Sequence, residues 1–279
     1  MLTNDQIEQY AQDGYTVYPG FFGNEDVAAC LRDIDAISAG NTRSNHDTNR
    51  LEMEPRQAPD GTLVRRIYDP CTYYERFRAL SESPPLLDCI QQLLGPNLVF
   101  HYSKINMKPP EIGSVVEWHQ DLAYYPLTNS DSLAVLFYLD DADGSNGCLK
   151  VIPGRHRNTL MDHTRDNTFQ GKITEAVDEY DAVPVEGKAG TAIFLHGMTP
   201  HASITNTSER PRRTLILSYR AADAFPIYCG GMTVKTESHV RHVRGTQVHV
   251  ARFSLARFPI PRYPGMRASL YELQELARR

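Results

Sequence analysis

From Leu98 onward, short runs of β-branched and aromatic residues alternate with clusters of Pro, Gly, Asp and Asn. Leu98 to Met107, Ser132 to Leu139, Cys148 to Ile152, Thr191 to Leu195 and Thr214 to Tyr219 all read as strands. Strands of this kind pack as a sandwich or jelly roll. The residues ahead of them read differently. Thr3 is placed to cap a helix through about Ala11, with Ile7, Tyr10 and Ala11 on one face. Asp13-Gly14 ends it, and Tyr15 to Tyr18 reads as a short strand. Asn24 can cap a second helix carrying Val27, Leu31, Ile34 and Ile37 at helical spacing. Ser83-Pro84-Pro85 opens a third, which runs to Leu94 with Gly95 past its end. Gly40 to about Arg66 is polar and turn-rich, a surface loop or a lid. Helices first and strands after give an α+β class with a mainly β core. The chain closes on an Arg- and His-rich stretch from about His239 to Arg257, a connector at Pro259 to Pro264, and a helix from Ala268 to Ala277.

The bulk numbers narrow the function. The chain has 279 residues, 41% of them hydrophobic, enough for one large domain or two small ones. Its 29 Lys plus Arg against 34 Asp plus Glu leave a net charge of −5. That excludes a general nucleic-acid binder, whose affinity rests on neutralising phosphates. Cys30, Cys71, Cys89, Cys148 and Cys229 form no Cys-x-x-Cys pair, which reads as reduced thiols in a cytoplasmic protein. Neither a signal peptide nor a membrane-spanning apolar run is visible.

Chemistry concentrates in Trp118-His119-Gln120-Asp121 and in His201 about eighty residues later. Two imidazoles and one carboxylate are the ligand set of a mononuclear iron(II) site with open positions. Residues two apart on a strand share a face, so His119 and Asp121 can grip one metal from one strand. A distant strand then brings the third ligand, either His201 or His196. His156 and His101 suit packing, and His239, His242 and His249 suit solvated strand positions.

The surroundings of these residues form an ordered set. Leu122-Ala123-Tyr124-Tyr125-Pro126 follows Asp121; then come Asn146-Gly147-Cys148-Leu149, Ile152-Pro153-Gly154-Arg155-His156, Phe194-Leu195-His196, His201-Ala202-Ser203 and Arg210-Pro211-Arg212-Arg213. Together with Thr3-x-Asp5-Gln6-Ile7 and Asp13-Gly14-Tyr15, this set resembles the phytanoyl-CoA dioxygenase family of iron(II)/2-oxoglutarate oxygenases over roughly Thr3 to Tyr219. The resemblance implies a double-stranded β-helix, a cupin-like jelly roll, with flanking N-terminal helices. We expect one dioxygenase domain over 1–279, with a helical part at about 1–96, the core at about 97–222 and an extension at about 223–279 that no motif of the resemblance covers.

The same resemblance implies His119, Asp121 and His201 as iron ligands, since the family's distal ligand is followed by x-Ser. It implies Arg212, eleven residues after His201, as the anchor for the distal carboxylate of 2-oxoglutarate. A guanidinium fork suits that carboxylate. Ser203, Phe137 and Lys104 fall at further cosubstrate positions. Related halogenases replace the carboxylate ligand with a small residue, so Asp121 implies oxidation without halide. The implied reaction takes dioxygen and 2-oxoglutarate, releases succinate and carbon dioxide, and hydroxylates a C–H bond of a small metabolite. Tyr124, Tyr125 and Tyr102 are candidates for the mouth of the site. An acyl-CoA substrate is the alternative, its phosphates met by Arg65-Arg66 or by Arg241 and Arg244. A metal-binding cupin-like protein without oxygenase activity is another, disfavoured by Arg212 and the missing Gly-rich motif. The partner is a small molecule, with neither nucleic acid nor membrane involved, and the assembly is a monomer or homodimer.

Overall fold

The structure, a computed structural model, describes residues 1–227, 238–254 and 258. The N-terminal part holds α1 (Asn4–Asp13), β1 (Tyr15–Tyr18), α2 (Asn24–Ser38), β2 (Leu51–Met53), β3 (Val64–Tyr68), α3 (Pro70–Tyr73), α4 (Glu75–Ser81) and α5 (Pro84–Leu94). The strands β4 (Leu98–Lys108), β5 (Val116–His119), β6 (Ser132–Tyr138) and β7 (Leu149–Val151) follow. Next come β8 (Thr164–Arg165), β9 (Thr168–Phe169), β10 (Val183–Val185), β11 (Ala192–His196), β12 (His201–Ser203), β13 (Arg212–Ala221) and β14 (Arg241–Arg244). The expected helix Ala268 to Ala277, the connector Pro259 to Pro264 and Cys229 lie outside the described residues.

An antiparallel sheet runs β1-β11-β6-β13-β4-β3-β2, with β14 also pairing β4. A smaller antiparallel sheet runs β10-β7-β12-β5. The two face each other across Leu136, Tyr138, Ile193 and Ile216 from the large sheet and Leu149, Val151 and Val185 from the small one. This is the expected jelly roll. The other face of the large sheet carries the helices. There Phe100, Ile105, Phe137, Leu215 and Leu217 pack with Ile34 of α2 and Leu86 and Ile90 of α5. Full burial of each such side chain contributes about 1.5–3 kcal/mol.

The sequence reading needs three local corrections. Asn24 is the first helical residue of α2, and Gly23 is the cap, its N–H donating to Asp26 Oδ2 at 3.3 Å. Gly40 to Arg66 is more than a loop, because β2 and β3 pair and extend the large sheet through β4. Three of the N-terminal strands therefore belong to the core sheet, and α3 and α4 add turns that no periodicity announces. Thr3 does cap α1, with Gln6 closing the box.

Gly14 ends α1 at φ 78°, where a Cβ would collide with Thr199 and His156. Its carbonyl accepts from the His196 N–H at 2.9 Å and from Thr199 Oγ1 at 2.8 Å. Among the described residues no helix is long and apolar enough to cross a membrane.

Candidate metal centre

His201 on β12 pairs in register with His119 on β5, so the two imidazoles stand side by side, ring centres 4.1 Å apart. Asp121 is not on that strand. β5 stops at His119, and Asp121 opens a 3₁₀ turn through Ala123. The turn still delivers the carboxylate: Asp121 Oδ1 lies 3.8 Å from His119 Nε2 and 3.9 Å from His201 Nε2. One ligand atom from each of the three residues falls within 4.8 Å of the others, and all three residues are buried.

The protonation of the site suits a metal. His119 Nδ1 is 2.8 Å from the Glu117 carbonyl, and His201 Nδ1 is 3.0 Å from the Thr199 carbonyl. A carbonyl only accepts, so each Nδ1 carries the proton and each Nε2 offers a lone pair toward Asp121. Burial lowers the pKa of both rings; His201 and Lys104 add to it at His119, while Asp121 opposes it at His201. The imidazoles stay neutral and ready to coordinate.

A pocket opens from the triad along the inner face of the large sheet. Its lining includes Arg66, Lys104, Asn106, Ser203, Arg212 and Thr214. Arg212 starts β13 and is 6% exposed. Its Nη1 donates to Thr214 Oγ1 at 2.8 Å, but Nε has no partner, and no acid pairs with it among the described residues. Arg213 points the other way and is bound to Asp140, with Nη2 2.7 Å from Oδ1. Arg210 sits outside, paired with Asp143 at 2.6 Å. Of these three arginines only Arg212 lines the pocket, together with Ser203.

Phe137 does not line the pocket. Strand alternation turns it to the helix face, where it stacks on Phe22 at 4.3 Å. Its neighbours Leu136 and Tyr138 take the pocket side, and Tyr138 is held by donating to the Val185 carbonyl at 2.8 Å. Lys104 is in the pocket, and desolvation pushes its pKa down to about 8. Tyr124 lies edge-on against His119 at 5.5 Å and donates to the Gly171 carbonyl at 2.5 Å. Tyr125 packs edge-on against His101 at 4.7 Å, its buried hydroxyl near Asp121 and Ser218 but with no partner at hydrogen-bonding geometry. Tyr102 is half-buried beside the Lys104 ammonium.

His196 is not part of the cluster. It accepts from the Met198 N–H at 3.0 Å and packs between Tyr10 and His156. Three groups support the site: His163 and Lys108 escape the sequence reading, and Arg66 is named there only for acyl-CoA phosphates. His163 Nε2 accepts from the Gln120 N–H at 3.1 Å, fixing the link between His119 and Asp121. Arg66 is held by Glu52 at 3.2 Å and by Asn106 at 2.9 Å. Lys108 donates to the Ile204 and Ser114 carbonyls at 2.7 and 2.5 Å beside Arg212. The signal for Lys108 is the alternation of Lys104, Asn106 and Lys108 along β4, which puts them on one face.

Comparison with known proteins gives the family. The family model "Phytanoyl-CoA dioxygenase (PhyH)" matches residues 10–214. A probable alpha-ketoglutarate-dependent hypophosphite dioxygenase of Stutzerimonas stutzeri is 35% identical, covering 81% of this chain and 82% of its own. A methylphosphonate hydroxylase of Gimesia maris is 28% identical, with 79% and 81% covered. In fold, the chain resembles the crystal structure of EctD from S. alaskensis with bound Fe, at a TM-score of 0.70, 22% identity and 88% of each chain covered. The chain belongs to the phytanoyl-CoA dioxygenase family and is an iron- and 2-oxoglutarate-dependent dioxygenase.

Proposed function

We propose that this dioxygenase hydroxylates a small metabolite within one domain spanning the chain. In this reading His119, Asp121 and His201 hold iron(II), and Arg212 with Ser203 seats the distal carboxylate of 2-oxoglutarate. The observation that carries it is the pairing of a buried His-Asp-His cluster with a buried guanidinium that has no acid among the described residues. A buried charge left unpaired is costly, so the site is completed by an incoming anion.

Bound iron(II) supplies the activation of dioxygen against the keto acid, with succinate and carbon dioxide as products. The chain's own residues supply position. The Glu117 and Thr199 carbonyls fix the imidazole tautomers, and the Gln120–His163 bond fixes the turn that carries Asp121. Tyr124, edge-on to His119 and 5.0 Å from Phe169, packs against the imidazole and holds its orientation.

Several observations support a small substrate over an acyl-CoA. The two relatives described above are named for hypophosphite and methylphosphonate. Arg65 and Arg66 are buried against Glu52, and Arg241 and Arg244 pair with Glu82 and Asp88, so none of these cations forms an open groove for CoA phosphates. Cys30, Cys71, Cys89 and Cys148 are free buried thiols, which supports a reducing, cytoplasmic setting.

Anaerobic protein mixed with iron(II) and 2-oxoglutarate is expected to show the weak visible charge-transfer band of a chelated keto acid. Asp121→Ala is expected to lose both the band and succinate formation. A folded wild-type protein without the band would refute the assignment of the metal and cosubstrate seats.

A further inference from the structure

We infer that the substrate is a small anion and that Lys104 is the cation that receives its head group. The inference rests on the seats for iron and 2-oxoglutarate proposed above. Lys104 lines the pocket, yet it makes no hydrogen bond or ion pair with any described residue; its Nζ stands 5.7 Å from the centre of the Tyr102 ring. The neighbouring cations are all engaged. Arg66 is committed to Glu52 and Asn106, and Lys108 to two backbone carbonyls. Arg212 is claimed by the cosubstrate.

Charge makes the vacancy specific. The iron dication, the Asp121 carboxylate, the 2-oxoglutarate dianion and the Arg212 guanidinium cancel, because both imidazoles are neutral. The Lys104 ammonium then has no counter-charge in the loaded pocket. Register separates it from the cosubstrate anchor. Lys104 pairs with Ile216 and Arg212 with Lys108, four residues along β13. That is roughly 13 Å along the strand at about 3.3 Å per residue. Lys104 lines the same pocket as His119, Asp121 and His201, so an anion bound there lies close to the metal. The fitting ligand is a carboxylate, phosphonate or phosphinate whose oxidisable bond lies a short way from the charged head. Arg66, pinned beside it, keeps that wall positive.

The test uses anaerobic protein loaded with iron(II) and 2-oxoglutarate, titrated calorimetrically with methylphosphonate and with dimethyl sulfone as a neutral probe of similar shape. The expected result is binding of methylphosphonate in clear preference to the sulfone. Lys104→Met is expected to weaken methylphosphonate binding by roughly 10- to 100-fold, the usual range for a lost charge-assisted hydrogen bond. Its 2-oxoglutarate affinity separates this assignment from the cosubstrate position that the family resemblance implied for Lys104: it stays unchanged if Lys104 receives the substrate, and Lys104→Arg restores part of the anion binding. The inference is overturned by equal binding of both probes, by binding of neither, or by methylphosphonate displacing 2-oxoglutarate. It is also overturned if Lys104→Met loses cosubstrate affinity instead, which would make Lys104 a cosubstrate contact. Failure of the charge-transfer band in the wild type would strike the iron and cosubstrate seats, and calorimetry still reads the anion preference in that case.

Discussion

On the helix side of the large sheet, Phe100, Ile105, Phe137 and Leu215 interlock with one another and with α2 and α5. On the opposite side the same strands present Lys104, Asn106, Arg212 and Thr214 to a pocket. Arg212 and Arg213 condense the contrast into adjacent residues. Arg213 is neutralised by Asp140 and lies on the outer surface, while Arg212 is buried with a free Nε. The outer face is complete as it stands and serves folding. The inner face carries Arg212 and Lys104, which no acid pairs with among the described residues, so its stability and its chemistry pull in different directions.

Acid is expected to have the largest effect, and it acts on both faces, through His196 against Tyr10 on the helix side and through His101 and His163 near the pocket. Burial pushes His101 down to about 3, His163 to about 4 and His196 to about 3. An unfolded histidine titrates near 6.5. Below that pH the unfolded chain takes up protons that these folded rings refuse, so stability is present above about pH 6.5 and drains away as pH falls toward 4. Between pH 7 and pH 5 the metal-free protein should lose roughly 2 kcal/mol per histidine. Urea midpoints at the two pH values check this, and a flat response would mean that these rings are not held neutral. The next largest effect belongs to the outer face. Phe137→Ala should cost about 3–5 kcal/mol in denaturant unfolding while leaving 2-oxoglutarate affinity unchanged. Arg212→Ala should do the reverse, weakening 2-oxoglutarate by roughly 100-fold with little loss of stability. Arg213→Ala gives the smallest change, about 1 kcal/mol of stability and none in cosubstrate affinity. If Arg213→Ala instead matched Arg212→Ala in cosubstrate binding, the two faces would not be functionally distinct.

The inner and outer faces were unequally legible in the sequence. The expected strands from Leu98 to Tyr219 recur within a few residues of their observed ends, because turn residues bracket each one. His119 and Asp121 stood out as ligand types two apart, but only the family resemblance preferred His201 to His196, and His201 is the one that clusters with them. What misled was geometry within short distances. Asp121 was expected on the strand of His119, yet a 3₁₀ turn rather than strand alternation brings it to the cluster. Phe137 was expected in the pocket, but Ala134-Val135-Leu136-Phe137-Tyr138 is apolar on both faces, so no pattern told its inward residues from its outward ones. The β2–β3 hairpin hid behind polarity, since Arg65, Arg66 and Glu52 are buried by pairing with one another and read alone as loop residues.

The turn at Gly14 has a reach that its place near the N-terminus disguises. Its carbonyl anchors Thr199, and the Thr199 carbonyl in turn holds the proton on His201 Nδ1. The end of the first helix is thus a bracket for a residue almost two hundred positions downstream. A side chain forced into that turn would strike the buried Thr199 and the His156 ring directly. Damage there would register as a mis-aimed imidazole in a protein that is otherwise well folded. The opening helix is therefore part of the instrument that points His201.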